Sequence, residues 1–458
     1  MERMENTLPE ISPEWNQEQN EISAIRDSLI RTEKGSIANS IQNCKTVLEC
    51  DPVLKNSIRK NLLTGQTDLV HPVYWHRTGT MLTDTDQKNI ELRLENCYHL
   101  TSEKKIAKAV SIVANENQYH PIRDYLSGLV WDGTPRIRFA LHHFLGADVS
   151  DFNEECLRVF MLGAVHRAFQ PGCKFELMLC LVGGQGAGKS SFFRLLAVRD
   201  EWFSDDLKKL DDENVYRKLQ GHWIIEMSEM IATASARSIE EIKAFISRQK
   251  ETYKIPYEVH PEDRPRQCVF AGTTNRLDFL PRDRTGNRRF LPIPVNPELA
   301  EVHPLSDEAA ARKYIDQMWA EIMTLYRSGD FTLRLSSESE KTLCANQKAF
   351  VQEDVWAGMI YAYFQDCRED YLCSRQLYSW ALLKGNDPEI RETREICEIV
   401  NTGIASGEIT GWIPLKNPRR FGEYGTQRGW ERVNKTPAPS VSTVQSSFFP
   451  VDDPDCPF

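Results

Sequence analysis

Two spacings of hydrophobic residues alternate along the middle of this chain. Short unbroken apolar runs, LMLCLV at Leu177–Val182 and WII at Trp223–Ile225, have the length and composition of strands covered on both faces. After each of them, apolar residues recur at helical spacing, as in Ser191–Leu196 and at Ile242, Phe245 and Ile246, which predicts helices with one buried face. Their alternation predicts an α/β fold. Weaker signals add a strand at Trp202–Leu207, a helix at Glu213–Leu219, and two strand-like stretches, Tyr253–Glu258 and Gln267–Gly272, joined as a hairpin through His260–Arg266. Upstream, residues 1–35 show neither spacing and predict a mobile leader. Helical spacing starts at Ser36 (Ile37, Ile41, Val47, Leu48, then Leu54, Ile58, Leu62). A β-like piece at Val70–Trp75 and a helix at Asp86–Leu94 follow, giving an α-rich module over 36–118. Residues 119–335 form the main domain with a helical lead-in, where Tyr125, Trp131, Phe144, Phe160 and Phe169 are expected in the core. Helical runs at Trp356–Phe364, Ser374–Leu383 and Ile390–Val400, closed by GWIPLKNPRRFGEYGTQRGWERV, predict a winged helix over 346–433. Residues 434–458, rich in Pro, Ser and Thr, predict a disordered tail.

The junction of the Leu177–Val182 strand with its helix holds the most specific chemistry. It reads GGQGAGKSS, with Gly183, Gly184, Gly186 and Gly188 followed by Lys189, Ser190 and Ser191. Glycines let successive backbone N–H groups curl around phosphate oxygens, and the following helix aims its positive end at them. Lys189 is placed to reach the terminal phosphates and Ser190 to bind Mg²⁺. This is the signature of a nucleoside triphosphate site.

Further candidates lie downstream. Glu226 closes the Trp223–Ile225 strand and Glu229 follows three residues later. A carboxylate at such a position holds a cation's water shell or polarises the attacking water. The Cys268–Ala271 strand runs into Thr273, Thr274 and Asn275, polar groups suited to orienting that water. RDRTGNRRF carries Arg282, Arg284, Arg288 and Arg289, and guanidinium groups stabilise charge on a transferred phosphoryl group, sometimes from a neighbouring subunit. Lys254, His260, Arg264 and Arg266 mark the predicted hairpin as a tracking element for a nucleic-acid backbone, although Glu258, Glu262 and Asp263 share the loop. In the closing segment, Lys416, Arg419, Arg420 and Arg428 are candidate phosphate contacts, with packing or subunit contacts as the competing reading. Asp84 and Asp86 could suggest a two-metal site; a turn that starts a helix explains them better.

Composition narrows the possibilities. The 458 residues carry a net charge of −10, so nucleic acid must be met by a local patch rather than by the whole surface. No apolar run approaches membrane-spanning length and the N-terminus is not signal-like, which predicts a cytoplasmic protein. The 12 cysteines show no CxxC pair and are expected to be reduced.

In order, YHPIRDYLSGLVWDGTPR, PGCKFELMLCLVGGQGAGKS, WIIEMSE, YKIPYE, GTTN and DRTGNRRF resemble the virulence-associated protein E family, carried by phages and mobile elements. Its ATPase is similar to that of superfamily 3 helicases, and the resemblance spans roughly Ile37 to Trp430. It implies an AAA+-like P-loop core, hexameric assembly, hydrolysis of ATP with Mg²⁺ between subunits, and movement on single-stranded or forked DNA during replication. Lys189 and Ser190 then fall on Walker A, Glu226 and Glu229 on the acidic Walker B region, Asn275 on sensor 1, and Arg288 or Arg289 on the arginine finger. Met227 and Ser228 separate the two glutamates, whereas many superfamily 3 helicases have adjacent acids, so which glutamate polarises water stays open. The rival reading is an ATP-switched DNA-binding or regulatory protein that does not unwind. A small-molecule phosphotransferase is disfavoured by the paired glutamates and the arginine cluster. In the tail, Gln445, Phe448 and Phe449 resemble clamp-docking peptides, and Asp452, Asp453, Asp455, Pro457 and Phe458 resemble the acidic tip of single-stranded-DNA-binding proteins. Host replication proteins are therefore expected partners.

Overall fold

The computed structural model describes residues 13–207, 210, 215–228, 236–253, 262–280, 287–350 and 355–433. The chain divides into two compact units, residues 1–352 and 353–458. This boundary corrects the expected start of the C-terminal domain at residue 346. Gln347 and Phe350 pack within the first unit, where Gln347 donates to the Asn287 and Phe290 carbonyls.

The N-terminal module combines helices α1 (Pro13–Ser28), α2 (Ile41–Cys50), α3 (Asp84–Tyr98) and α4 (Glu103–Glu116) with strands β1 (Ile58–Asn61), β2 (Thr67–Leu69) and β3 (Gln118–Tyr119). The strands lie in the order β2-β1-β3. Two expectations are corrected. Residues 13–28 are helical rather than a leader, because Ile22, Ile25 and Leu29 present one apolar stripe to the module's core. The helical reading of Leu54–Leu62 gives way to β1, whose Ile58 and Asn61 are buried while Arg59 and Lys60 are only partly covered.

Two buried carboxylates tie this module together. Asp51 accepts from Arg93 Nε at 2.8 and 2.9 Å, from the Tyr98 hydroxyl at 2.7 Å, and from the Val53 and Leu54 amides. Asp86, the N3 residue of α3, forms a capping box with Thr83 and also accepts from Trp75 Nε1 at 2.7 Å and Arg77 Nε at 2.8 Å. The helix-start reading of Asp84 and Asp86 thus holds, with Arg77 as a partner that spacing did not show.

Lead-in helices α5 (Pro121–Gly128), α6 (Ile137–Leu145) and α7 (Asp151–Phe169) run into the central sheet. Its strands are β4 (Met178–Val182), β5 (Phe203–Ser204), β6 (Ile224–Glu226), β9 (Val269–Thr274) and β10 (Phe290–Pro294). All neighbouring pairs are parallel, in the order β10-β4-β9-β6-β5. Side chains alternate between two cores. Leu179, Leu181, Ile224, Ala271, Leu291 and Ile293 face one, while Met178, Cys180, Val182, Ile225, Phe270 and Phe290 face the other. The first core also takes in α7, α8 (Lys189–Leu196) and α11 (Glu308–Ser328). There Trp223 and Trp319 stack with ring centroids 4.4 Å apart, and their indole N–H groups donate to Ala164 and Leu196. The second core is closed by α9 (Val215–Leu219), α10 (Ala236–Ile246) and Phe350, which follows α12 (Ser337–Gln347). Phe144 and Phe160 are buried as expected, whereas Tyr125, Trp131 and Phe169 are half-buried.

The hairpin differs from its expected form. It consists of β7 (Lys250–Tyr253) and β8 (Glu262–Pro265), antiparallel, while the Gln267–Gly272 stretch leads into β9 of the central sheet. An apolar run alone does not select its partner, and Val269–Thr274, buried at every position, is satisfied only between β4 and β6.

The second unit contains α13 (Val355–Asp366), β11 (Tyr371–Cys373), α14 (Ser374–Trp380), α15 (Ile390–Ser406), β12 (Trp412–Pro414), β13 (Arg419–Arg420), β14 (Thr426–Gln427) and β15 (Gly429–Arg432). β15 lies antiparallel between β11 and β12, and β13 pairs with β14. Among the described residues no helix is long and apolar enough to cross a membrane, and the described cysteines are free.

Burial alone would raise the Asp86 carboxyl, but the bonds from Trp75, Thr83 and Arg77 outweigh it and hold it below the usual range. Asp86→Asn should therefore cost about 3 kcal/mol in denaturant unfolding at neutral pH, because the Arg77 charge loses its partner. A depressed carboxyl stabilises only while ionised, so the difference from wild type should shrink below about pH 4.

Candidate functional site

Parallel strands deliver their C-terminal ends to one edge, and the loop leaving β4 opens there. Gly183 lies so close to Val295 that a Cβ would sit 2.6 Å from its carbonyl oxygen, so no larger residue fits. Gly188 caps α8 with φ +77°, a conformation that L side chains rarely adopt. Helix α8 starts directly at Lys189, and its N-terminus faces a cavity of about 410 Å³ lined by Gln185–Ser191, Ser228 and Thr273–Asn275.

Five side chains meet at this edge. Lys189 is 7% exposed, and its ammonium donates to the Gly183 carbonyl at 2.8 Å, the Gly184 carbonyl at 2.6 Å and Asn275 Oδ1 at 3.0 Å. Desolvation pushes it below the ordinary lysine value. Glu226 ends β6 on the α8 face, two residues after Ile224, as the strand period requires. Its Oε1 accepts from Ser190 Oγ at 2.7 Å and from the Thr273 hydroxyl, while Oε2 is buried with no hydrogen-bond partner. Burial pushes this carboxyl up despite those donors. Asn275, just past β9, reaches Lys189 because β9 lies between β4 and β6.

The other expected residues divide into three groups. Glu229, Lys254, His260, Arg282, Arg284 and the tail residues Gln445, Phe448, Phe449, Asp452, Asp453, Asp455, Pro457 and Phe458 lie outside the described residues. Arg266 is buried, with its guanidinium bonded to Glu251 and the Phe245 carbonyl and stacked over Phe245 and Phe270. That placement removes it from the backbone-tracking set. Arg264 lies in β8 rather than at a hairpin tip, its guanidinium against Gly65 of the N-terminal module.

Arg288 and Arg289 form a turn before β10. The register Phe290↔Met178 to Pro294↔Val182 sets this turn at the opposite end of the sheet from the phosphate loop. Five strand residues at ~3.3 Å each separate the two ends by roughly 17 Å, beyond an arginine's reach. Arg289 donates to Ser247 Oγ at 3.0 Å and lies 3.4 Å from Glu176, whereas Arg288 is exposed.

Two supporting residues carried no sequence signal. Gln347 fixes the arginine turn through its two carbonyl contacts. Arg167, fully buried on α7, donates to Cys268 O at 2.6 Å and Phe175 O at 2.5 Å, holding the approaches to β9 and β4; burial lowers it to about 10. Both act on backbone carbonyls more than fifty residues away or across a loop, which local spacing does not encode.

Residues 126–352 match a family model described as the virulence-associated protein E-like domain. No curated protein matches the chain. Solved structures also align with it, including two apo structures. "The A form apo structure of NrS-1 C terminal region-CTR(305-718)" is 12% identical, with 87% of this chain and all of that one covered at a TM-score of 0.48. "The apo structure of NrS-1 C terminal region" is also 12% identical, with 82% and 95% covered at 0.45.

Lys189→Ala should weaken nucleoside triphosphate binding at least tenfold by calorimetry, since the loop loses its only buried cation. Thr273→Val, which preserves shape but removes a donor to Glu226, should lower turnover roughly tenfold with a smaller effect on binding.

Proposed function

Starting from the membership of residues 126–352 in the virulence-associated protein E-like domain family, we propose that this protein is an ATP-dependent DNA helicase or translocase that hydrolyses ATP between subunits of a hexameric ring. The observation that carries the reading is the meeting of Lys189, Ser190, Glu226, Thr273 and Asn275 at the C-terminal edge of β4, β6 and β9, with the arginine turn at the opposite edge.

Backbone N–H groups from Gly186 to Ser191 cradle the phosphates, and Lys189 exchanges its carbonyl partners for terminal phosphate oxygens. That movement frees Asn275 to orient the attacking water, so the same amide registers whether the terminal phosphate is present. The Ser190 hydroxyl and the unpartnered Glu226 Oε2 are hard oxygen donors that fit Mg²⁺, an ion bound through few protein ligands. Bound there, Mg²⁺ would neutralise phosphate charge and polarise the terminal phosphoryl group. Glu226, already engaged with Ser190, takes the cation-holding role, and water activation falls to Glu229.

Arginines at the far edge serve a neighbouring subunit's nucleotide. Arg288, exposed and preceding the strand, is the finger; Arg289 is the support pinned by Ser247 and Glu176. DNA contact is assigned to the second unit, read as a winged helix; its helices α13, α14 and α15 and its antiparallel sheet β11-β15-β12 support that reading. Lys416, Arg419, Arg420 and Arg428 are exposed around its β13–β14 wing, and Arg419 stacks on Tyr371 at 3.5 Å.

Arg288→Ala should cut turnover about 10³-fold with ATP binding preserved, whereas Arg289→Ala should mainly lower stability. Strand separation on a forked DNA substrate should require ATP and vanish in Lys189→Ala. Hydrolysis and DNA binding without strand separation would instead identify an ATP-switched DNA-binding protein.

A further inference from the structure

The loop after β10 touches the phosphate loop on a side that the triphosphate machinery does not use. From Asn296 to Ser306 it is fastened to α6. The Asn296 amide donates to Leu145 O and the Val302 amide to His143 O, both at 3.0 Å, and His143 Nδ1 lies 2.5 Å from Glu301. Gly146, at the end of α6, allows this approach, since a Cβ there would overlap the Asn296 carbonyl at 1.9 Å. The loop is therefore held rigidly against the core.

Its far end reaches Gly188. A Cβ on Gly188 would meet Pro304 Cδ at 2.8 Å and His303 Nε2 at 3.2 Å, so the imidazole stands directly beside the residue that opens α8. The tautomer follows from the other ring nitrogen. His303 Nδ1 accepts from the Leu305 amide at 3.2 Å, which leaves the neutral ring's proton on Nε2, facing the phosphate loop. Beside this donor, Val302 and Leu305 are exposed apolar side chains.

We infer that this loop is the nucleoside wall of the triphosphate site, with His303 Nε2–H donating to an acceptor on the ribose or base and Val302 and Leu305 offering the base an apolar face. The inference rests on the nucleotide reading above and extends it to the half of the ligand that the glycine motif does not address. Phosphates are already served by backbone amides, Lys189, Ser190 and Asn275 on the cavity side of Gly188, where His303 is not among the lining residues. A ligand continuing past the start of α8 meets Pro304 and His303 next. An exposed apolar surface bearing a fixed donor suits a heterocycle with ring nitrogens and hydroxyls.

The test compares ATP with inorganic tripolyphosphate, which shares the phosphates and lacks the nucleoside. With full-length protein, His303→Ala should raise the Kd for ATP about five- to tenfold and leave that for tripolyphosphate unchanged, and His303→Gln, which keeps a donor, should recover part of the loss. Equal weakening of both ligands would overturn the inference by making His303 a phosphate contact. Unchanged ATP affinity, with or without a change in oligomer size, would overturn it too. Failure of the wild type to bind either ligand would remove the nucleotide reading itself, and with it this one.

Discussion

The buried Glu226 carboxylate, shared between Ser190 and Thr273, is the contact on which the site depends. It joins the helix that follows the phosphate loop, the acid-bearing strand and the strand between them. A carboxylate that is 1% exposed is costly unless several donors face it, and only the parallel arrangement of β4, β9 and β6 brings those donors to one edge. The two cores and the stacked tryptophans hold the sheet in register, and Arg167 clamps β4 and β9 at their opposite, N-terminal ends.

A parallel sheet also has a second end. The turn holding Arg288 and Arg289 lies there, fixed by Gln347 and Glu176, and no bending of those side chains brings them to their own phosphate loop. The proposed ring rests on this separation: on that proposal, the arginine turn of one copy serves the phosphate loop of another. Strand β8 meets the N-terminal module where Arg264 lies against Gly65, and Gln267, between β8 and β9, donates to the Leu62 carbonyl, which links the central-sheet region to the module before it.

Residues that act through local chain geometry were legible from the sequence. The glycines, Lys189 and Ser190 belong to one turn, and Glu226 and Asn275 each sit at the end of an apolar run. What was hidden depended on distant partners or on dilute patterns. Residues 13–28 looked like a leader because Ile22, Ile25 and Leu29 are scattered among polar residues. Arg266 resembled a surface charge, yet its partners Glu251 and Phe245 lie in other elements. Val269–Thr274 was recognisable as a strand, but period alone does not distinguish a hairpin arm from a central parallel strand, and the hairpin was accordingly drawn with the wrong pair.

The most direct measurement is the ATP hydrolysis rate of the purified full-length protein with and without single-stranded DNA, with Lys189→Ala as the control. The account predicts hydrolysis that rises with DNA and is lost in the variant. Hydrolysis indifferent to DNA, or undiminished in Lys189→Ala, would contradict it.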